Sequence, residues 1–203
     1  MFTTEDAKVL IDLARKAIES ALKGEKLEVP EWIKERYSQP MGVFVTLKDR
    51  INHQLRGCIG LPYPILPLWE AVIDAAISAA FKDPRFIPIQ SLDELNNTLI
   101  ELTLLTPPKE VEVPDKRLLP QVIKVGRDGL IVEALGRSGL LLPQVPVEHG
   151  WDERMFLAQT CLKAGLPPDC WLWPETKVKV FQGQVFEELS PRGEVVEKPL
   201  AGG

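Results

Sequence analysis

After Thr3-Thr4-Glu5-Asp6, apolar residues recur three and four positions apart: Ala7, Leu10, Ile11, Ala14, Ile18, Ala21 and Leu22, with Gly24 as a stop. The cap candidates, acidic first turn and period together predict an amphipathic helix. Pro30 to Arg36 reads as a short further turn of helix. Met41 to Leu47, MGVFVTL, is β-branched and aromatic and reads as a strand. Polar Lys48 to Gln54 is its turn, and Leu55 to Ile59 returns antiparallel as a hairpin. Pro67 suits the first position of a helix whose stripe is Trp69, Val72, Ile73, Ala76, Ile77 and Ala80. Asp83-Pro84 ends it, because the residue before proline is pushed out of helical geometry. Ser91 to Leu95 predicts a short capped helix, and Leu99 to Leu105 a strand.

The middle of the chain is bracketed by proline. Thr106-Pro107-Pro108 opens it, and Pro167-Pro168 through Trp173-Pro174 closes it. Between them, strand-like Val122 to Val125, an Asp128-Gly129 turn, Leu130 to Ala134, a Gly136 to Gly139 turn and Leu140 to Leu142 predict a small antiparallel meander. Asp152 to Ala164 predicts a helix with Gly165 at its C′ position. Lys177 to Leu189 is a long strand with a bulge expected at Gly183, and Ser190 to Gly203 lacks periodicity and is expected to be loose.

This arrangement predicts an α+β fold of two subdomains, each an antiparallel sheet with flanking helices, enclosing a cleft. Residues 1–107 and 176–203 make the larger, and 108–175 the smaller, inserted one. The competing architecture is one continuous mixed sheet without a cleft.

Composition narrows the class. Hydrophobic residues are 45% and charged residues 26% of 203, as in ordinary globular proteins. Charges at Asp6, Lys8 and Asp12 interrupt the first apolar run, so neither a signal peptide nor a membrane span is expected. The net charge of -5 argues against non-specific nucleic-acid binding, which needs a basic face. Three cysteines, Cys58, Cys161 and Cys170, without CxxC spacing, suggest neither a disulfide framework nor a zinc knuckle. A reducing cytoplasm is the expected home.

Candidate chemistry gathers at Leu55-Arg56-Gly57-Cys58-Ile59-Gly60. Two glycines in a strand mark a bulge or a close approach by backbone or ligand. Cys58 is a catalytic nucleophile if Arg56 lowers its pKa, or else a buried small hydrophobe. Asp83-Pro84-Arg85 is either a surface pair at a helix end or an arginine anchor for a carboxylate or phosphate. Gln144, after Pro143, either ends a strand or presents its amide to a ligand. His53 and His149 are the only histidines, and their spacing supports no metal site. No phosphate loop, dinucleotide fingerprint or iron–sulfur run is present, and no cofactor is expected.

MGVFVTL, LRGCIG, AAFKDPRF, LTLLTPP, GLLLPQVPVEHGW, FLAQTCLKAGLP and VFQGQVFEE, in that order, resemble the AMMECR family from the first helix to about Leu189. LRGCIG is the signature of that family. The resemblance implies two subdomains, both termini in the larger, and signature side chains facing the interface. Carried over by position, the ligand-site residues are Arg56, Gly57, Cys58, Gly60, Asp83, Arg85, Pro143 and Gln144. It supplies no reaction, but it implies a link to Memo-type and radical SAM proteins. Two readings follow: an enzyme or enzyme component working in the cleft on a sizeable substrate, or a non-enzymatic adaptor that binds a protein.

Overall fold

The structure, a computed structural model, describes residues 1–200. In chain order the helices and strands are α1 (Thr4–Lys23), α2 (Glu31–Arg36), β1 (Gly42–Asp49), β2 (Leu55–Leu61), α3 (Leu68–Phe81), α4 (Leu92–Asn96) and β3 (Thr98–Leu105). There follow β4 (Lys109–Glu110), a 3-10 turn (Lys116–Leu118), α5 (Leu119–Val122), β5 (Asp128–Ala134), β6 (Arg137–Leu141), α6 (Gln144–His149) and α7 (Glu153–Lys163). A second 3-10 turn (Cys170–Leu172), β7 (Lys177–Glu188) and β8 (Val195–Lys198) complete it.

Two compact units divide the chain. The larger holds Met1–Leu105 and Gln184–Lys198; the smaller holds Thr106–Gly183, with Pro199 onward grouped with it. In the larger, β2, β1 and β3 lie side by side, β3 neighbours β7, and β8 pairs with the end of β7. Alternate residues of these strands (Val43, Val45, Leu47, Ile100, Leu102, Leu104 and Phe186) face α1 and α3 in one core. Thr3 caps α1 by accepting the Asp6 N–H, while Asp6 accepts the Thr3 N–H in return, a reciprocal capping box. Gly24 closes the helix in the left-handed conformation.

Several expectations are corrected here. Pro67 is the N-cap of α3 rather than its first residue. The buried stripe of α3 is Leu68, Ala71, Val72, Ala75, Ala76, Ala79 and Ala80, because α3 packs closely on both α1 and the sheet, where small residues fit. Trp69, Ile73 and Ile77 sit at its margin. The C-terminal segment is not loose. Val195–Lys198 pairs antiparallel with β7, and Val195 enters the core. Residues 201–203 of that segment lie outside the described residues.

In the smaller unit β5 lies between β6 and β7, and β4 pairs with the first part of β7. The Asp128-Gly129 pair is inside β5, not in a turn. The turn falls at Lys124–Arg127, where the Arg127 and Asp128 N–H groups donate to the Lys124 carbonyl and Gly126 supplies φ 90°. The Asp128 side chain accepts from the Lys124 N–H, Arg127 and Gln182, which secures a carboxylate at the buried start of a strand. Val122 to Val125 is accordingly not a strand; Val122 ends the short α5. The next turn uses Leu135 (φ 53°) and Gly136 (φ 72°), so β6 begins earlier than the sequence suggests, at Arg137.

Cys161 and Cys170 form a disulfide with Cα atoms 6.0 Å apart, which overturns the expectation of unpaired thiols. The fold, not a CxxC spacing, brings them together between the end of α7 and the second 3-10 turn. The bond also removes the cysteine-based argument for a reducing compartment. No helix among the described residues is long and apolar enough to cross a membrane.

Candidate functional site

LRGCIG runs along β2, which has β1 on one side only. The β1–β2 register pairs Leu47 with Gly57 and Lys48 with Leu55, leaving Arg56 as one extra residue. The strand therefore bulges at Arg56. Arg56 does not stand over Cys58: its Nε and Nη2 donate to Oε1 of Glu94 at 2.9 and 2.6 Å, tying β2 to α4. Oε2 of Glu94 in turn accepts the Gln90 N–H.

Neither glycine makes room for a ligand. A Cβ on Gly57 would lie 2.3 Å from the Ala79 carbonyl oxygen, so the absent side chain lets α3 approach the strand. A Cβ on Gly60 would lie 2.3 Å from the Phe44 ring, which covers the glycine from the neighbouring strand. The two close approaches are real, but they come from within the larger unit.

Cys58 is the unusual position. Its N–H donates to Oδ2 of Asp83 at 3.0 Å, and its carbonyl accepts from Nη2 of Arg85 at 3.1 Å. In an antiparallel strand both backbone groups of a residue point to the same side, so those of Cys58 point away from β1. Asp83 and Arg85 thus stand in for a missing strand and cover the edge at this residue. The turn is preorganised. Oδ1 of Asp83 accepts from the Arg85 N–H at 3.1 Å and from Nε at 3.0 Å, and Oδ2 accepts from Nη2 at 2.8 Å. The Arg85 guanidinium holds the buried Asp83 carboxyl well below the ordinary carboxylate range, with help from the Cys58 N–H. Its carbon also sits 5.3 Å from the centre of the Phe86 ring. Asp83-Pro84-Arg85 is thus more than an incidental surface pair; it caps the signature strand.

The thiol shares a face with Thr46, opposite it on β1, and with Glu101, opposite Thr46 on β3. Sγ lies 3.2 Å from the Thr46 hydroxyl. Burial pushes the Cys58 thiol up; the Thr46 hydrogen bond and Arg85 pull it down, and Glu101 and Asp83 oppose them. The net direction is upward, which favours the neutral thiol. The expectation that Arg56 activates Cys58 is corrected on both counts: the influential cation is Arg85, and it does not win. Sequence reading missed Thr46, Glu101 and Glu94, because nothing in the one-dimensional pattern registers strands against each other.

Glu101 accepts from both Lys48 and Lys198 at 3.1 and 3.3 Å. With His53, exposed at φ 59°, Lys48 and Glu101 line a small cavity of about 50 Å³, room for a water molecule or two.

Pro143 and Gln144 belong to the smaller unit. Pro143 is buried and precedes α6, and Gln144 is the first residue of that helix. Oε1 of Gln144 is buried and accepts no hydrogen bond from the described residues. His149 is held at the end of α6, with Nδ1 2.9 Å from the Val145 carbonyl and its ring stacked on Trp151. Trp171 is buried in the core of this unit, and Trp151 and Trp173 pack against it. Among the described residues no three His, Cys, Asp or Glu side chains gather closely enough to hold a metal ion.

Comparison with known proteins identifies the family. The AMMECR1 family model matches residues 11–186. A protein of Aquifex aeolicus is 53% identical over 190 residues, covering 94% of this chain and 96% of its own. Protein PH0010 of Pyrococcus horikoshii is 55% identical over 201 residues, 97% of this chain and 96% of its own. Its crystal structure superposes with a TM-score of 0.81 over 96% of this chain and 97% of that one. With a family model spanning most of its length and relatives this similar end to end, the chain belongs to the AMMECR1 family.

Proposed function

We propose that the signature strand and the Asp83–Arg85 turn form the recognition site of a binding or adaptor module rather than the centre of a thiol enzyme. The environment of Cys58 carries this reading. A thiol nucleophile needs a lowered pKa and a base within reach. This thiol is pushed up, and its hydrogen-bond partner is a threonine hydroxyl. Arg85, in contrast, is more than half exposed at 56%, and its Nη1 has no partner among the described residues. It is the group here suited to meet a carboxylate or phosphate, at reduced strength because Asp83 already offsets its charge.

A second reading, a component of an enzyme system, is favoured by one observation. The buried Gln144 Oε1 lacks a donor, and an incoming N–H or O–H group would complete it. On that reading Gln144 binds a ligand at the smaller unit, and the chemistry lies with partners of the Memo-type or radical SAM class that the family resemblance suggests.

Two assays separate the readings. Pull-down against Memo-type and radical SAM proteins should recover a partner with wild type and Cys58→Ser but not with Arg85→Ala. A thermal-shift screen of metabolites, nucleotides, peptides and metals tests for small ligands, since binding to the folded state raises Tm. A shift lost in Gln144→Ala, with no protein recovered, moves the assignment to the second reading. A ligand-dependent turnover abolished by Cys58→Ser defeats the adaptor reading outright.

A further inference from the structure

The helical layer of the smaller unit buries one set of apolar residues and exposes another. The 3-10 turn Lys116–Leu118, α5, α7 and the 3-10 turn Cys170–Leu172 touch one another in a ring. Their inward residues, including Leu119, Phe156, Leu157 and Trp171, share a core with Leu130 and Val132 of β5. The same four elements also expose Leu118, Val122, Met155, Leu162 and Leu172. Met155 and Leu162, 44% and 50% exposed, are seven residues apart and so lie on one side of α7. Phe156, Leu157, Thr160 and Cys161 are its buried side. An amphipathic surface helix needs apolar residues only on the buried side. A second apolar side on α7, with three more exposed apolar residues on elements of the same ring, suits an interaction surface.

Cations frame it. Arg117 adjoins Leu118, Lys124 follows Val122 by two residues, Arg154 adjoins Met155 and Lys163 adjoins Leu162. Arg117 is neutralised by Asp115. Lys124, Arg154 and Lys163 are exposed, and no ion pair or side-chain hydrogen bond engages them among the described residues. Unpaired cations so placed run against the chain's net charge of -5.

We propose that this outer face docks an acidic amphipathic helix of a partner protein. The helix lays its apolar side over Met155, Leu162, Val122, Leu118 and Leu172, with carboxylates toward Lys124, Arg154 and Lys163. A second copy of the chain fits less well. A two-fold contact sets the same patch against itself, which brings these unpaired cations toward each other. The surface is separate from the signature strand, which belongs to the larger unit, so this proposal stands or falls independently of the adaptor reading.

The test uses the full chain and a fluorescent helical peptide of about 18 residues with leucines at helical spacing and glutamates elsewhere. Controls replace every glutamate by lysine or scramble the leucine positions. The glutamate peptide should bind in the micromolar range, about tenfold or more tighter than either control, and more weakly as salt rises. Met155→Ser with Leu162→Ser should cost about tenfold or more in affinity with Tm unchanged. Arg154→Glu with Lys163→Glu should reverse the preference between glutamate and lysine peptides. Equal binding of both peptides, binding indifferent to the Met155 and Leu162 substitutions, or no binding up to about 100 µM overturns the proposal. A concentration-dependent dimer that Leu162→Glu dissociates also overturns it, by giving the face to a second copy.

Discussion

Gly60 faces Phe44 in the larger unit, and Gly129 faces Phe181 in the smaller; in both pairs the ring occupies the place of a glycine Cβ, 2.3 Å from it. The surroundings differ. β5, which carries Gly129, has a strand on each side, and Phe181 is fully buried. β2, which carries Gly60, has a strand on one side and the Asp83–Arg85 turn on the other, and Phe44 is half-buried. The comparison strips Gly60 of special status. The same aromatic-on-glycine packing occurs where no candidate ligand residue lies. The distinguishing feature of LRGCIG is the ionic cap on its open edge.

The largest effect expected is on the element that pins the larger unit. Arg15 of α1 and Glu188 of β7 form a buried ion pair at 2.7 Å, and Glu188 also accepts the Ile100 and Arg192 N–H groups. Glu188→Ala strands a buried guanidinium and should cost about 3–5 kcal/mol. Thermal melts measure the loss, and hydrogen exchange should place it in the larger unit. The smaller unit has a covalent counterpart. Cys161→Ser with Cys170→Ser releases a short loop and should cost about 2–3 kcal/mol, with exchange rising in the smaller unit instead. A loss shared equally by both units in either variant would mean that they unfold together.

The glycine pairs come next. Gly60→Ala and Gly129→Ala should each cost about 1–3 kcal/mol through overpacking. A double-mutant cycle with the facing ring separates them. Phe181→Leu should recover most of the Gly129→Ala loss, since the three atoms nearest the added carbon all belong to that ring. Phe44→Leu should recover less for Gly60→Ala, because the Val43 carbonyl oxygen, at 2.6 Å, remains in place. Equal recovery would erase the distinction.

The smallest effect is read on the acid limb of the stability profile. The Asp83 pKa is depressed in the folded protein, so its contribution is complete above the unfolded value, about pH 4, and fades as pH falls below it. Asp83→Asn should lower Tm slightly at neutral pH and flatten the acid limb of the stability profile. An unchanged acid limb would show that Asp83 does not draw its low pKa from Arg85.

Local chemistry made the long elements legible. Thr3, Asp152 and Ser91 cap their helices as their residue types suggest, and MGVFVTL and LIELTLL are strands because β-branched and apolar runs fit a pleated, buried surface. Short elements were less legible. Asp128-Gly129 has turn chemistry, yet tertiary hydrogen bonds to Asp128 hold it in a strand. Val195–Lys198 has no period of its own, but β7 offers it an edge.

The sequence by itself determined the family, the helix and strand order of the larger unit up to β3, and the place of LRGCIG on the second strand of a hairpin. Tertiary structure alone decided what those positions do. Arg56 turns to Glu94, Arg85 reaches the Cys58 backbone, Thr46 meets the thiol, and Cys161 meets Cys170. The reason is physical: caps, turns and periodicity are interactions between near neighbours in the chain, whereas these four contacts join residues 9 to 38 positions apart, and only burial and packing select those partners.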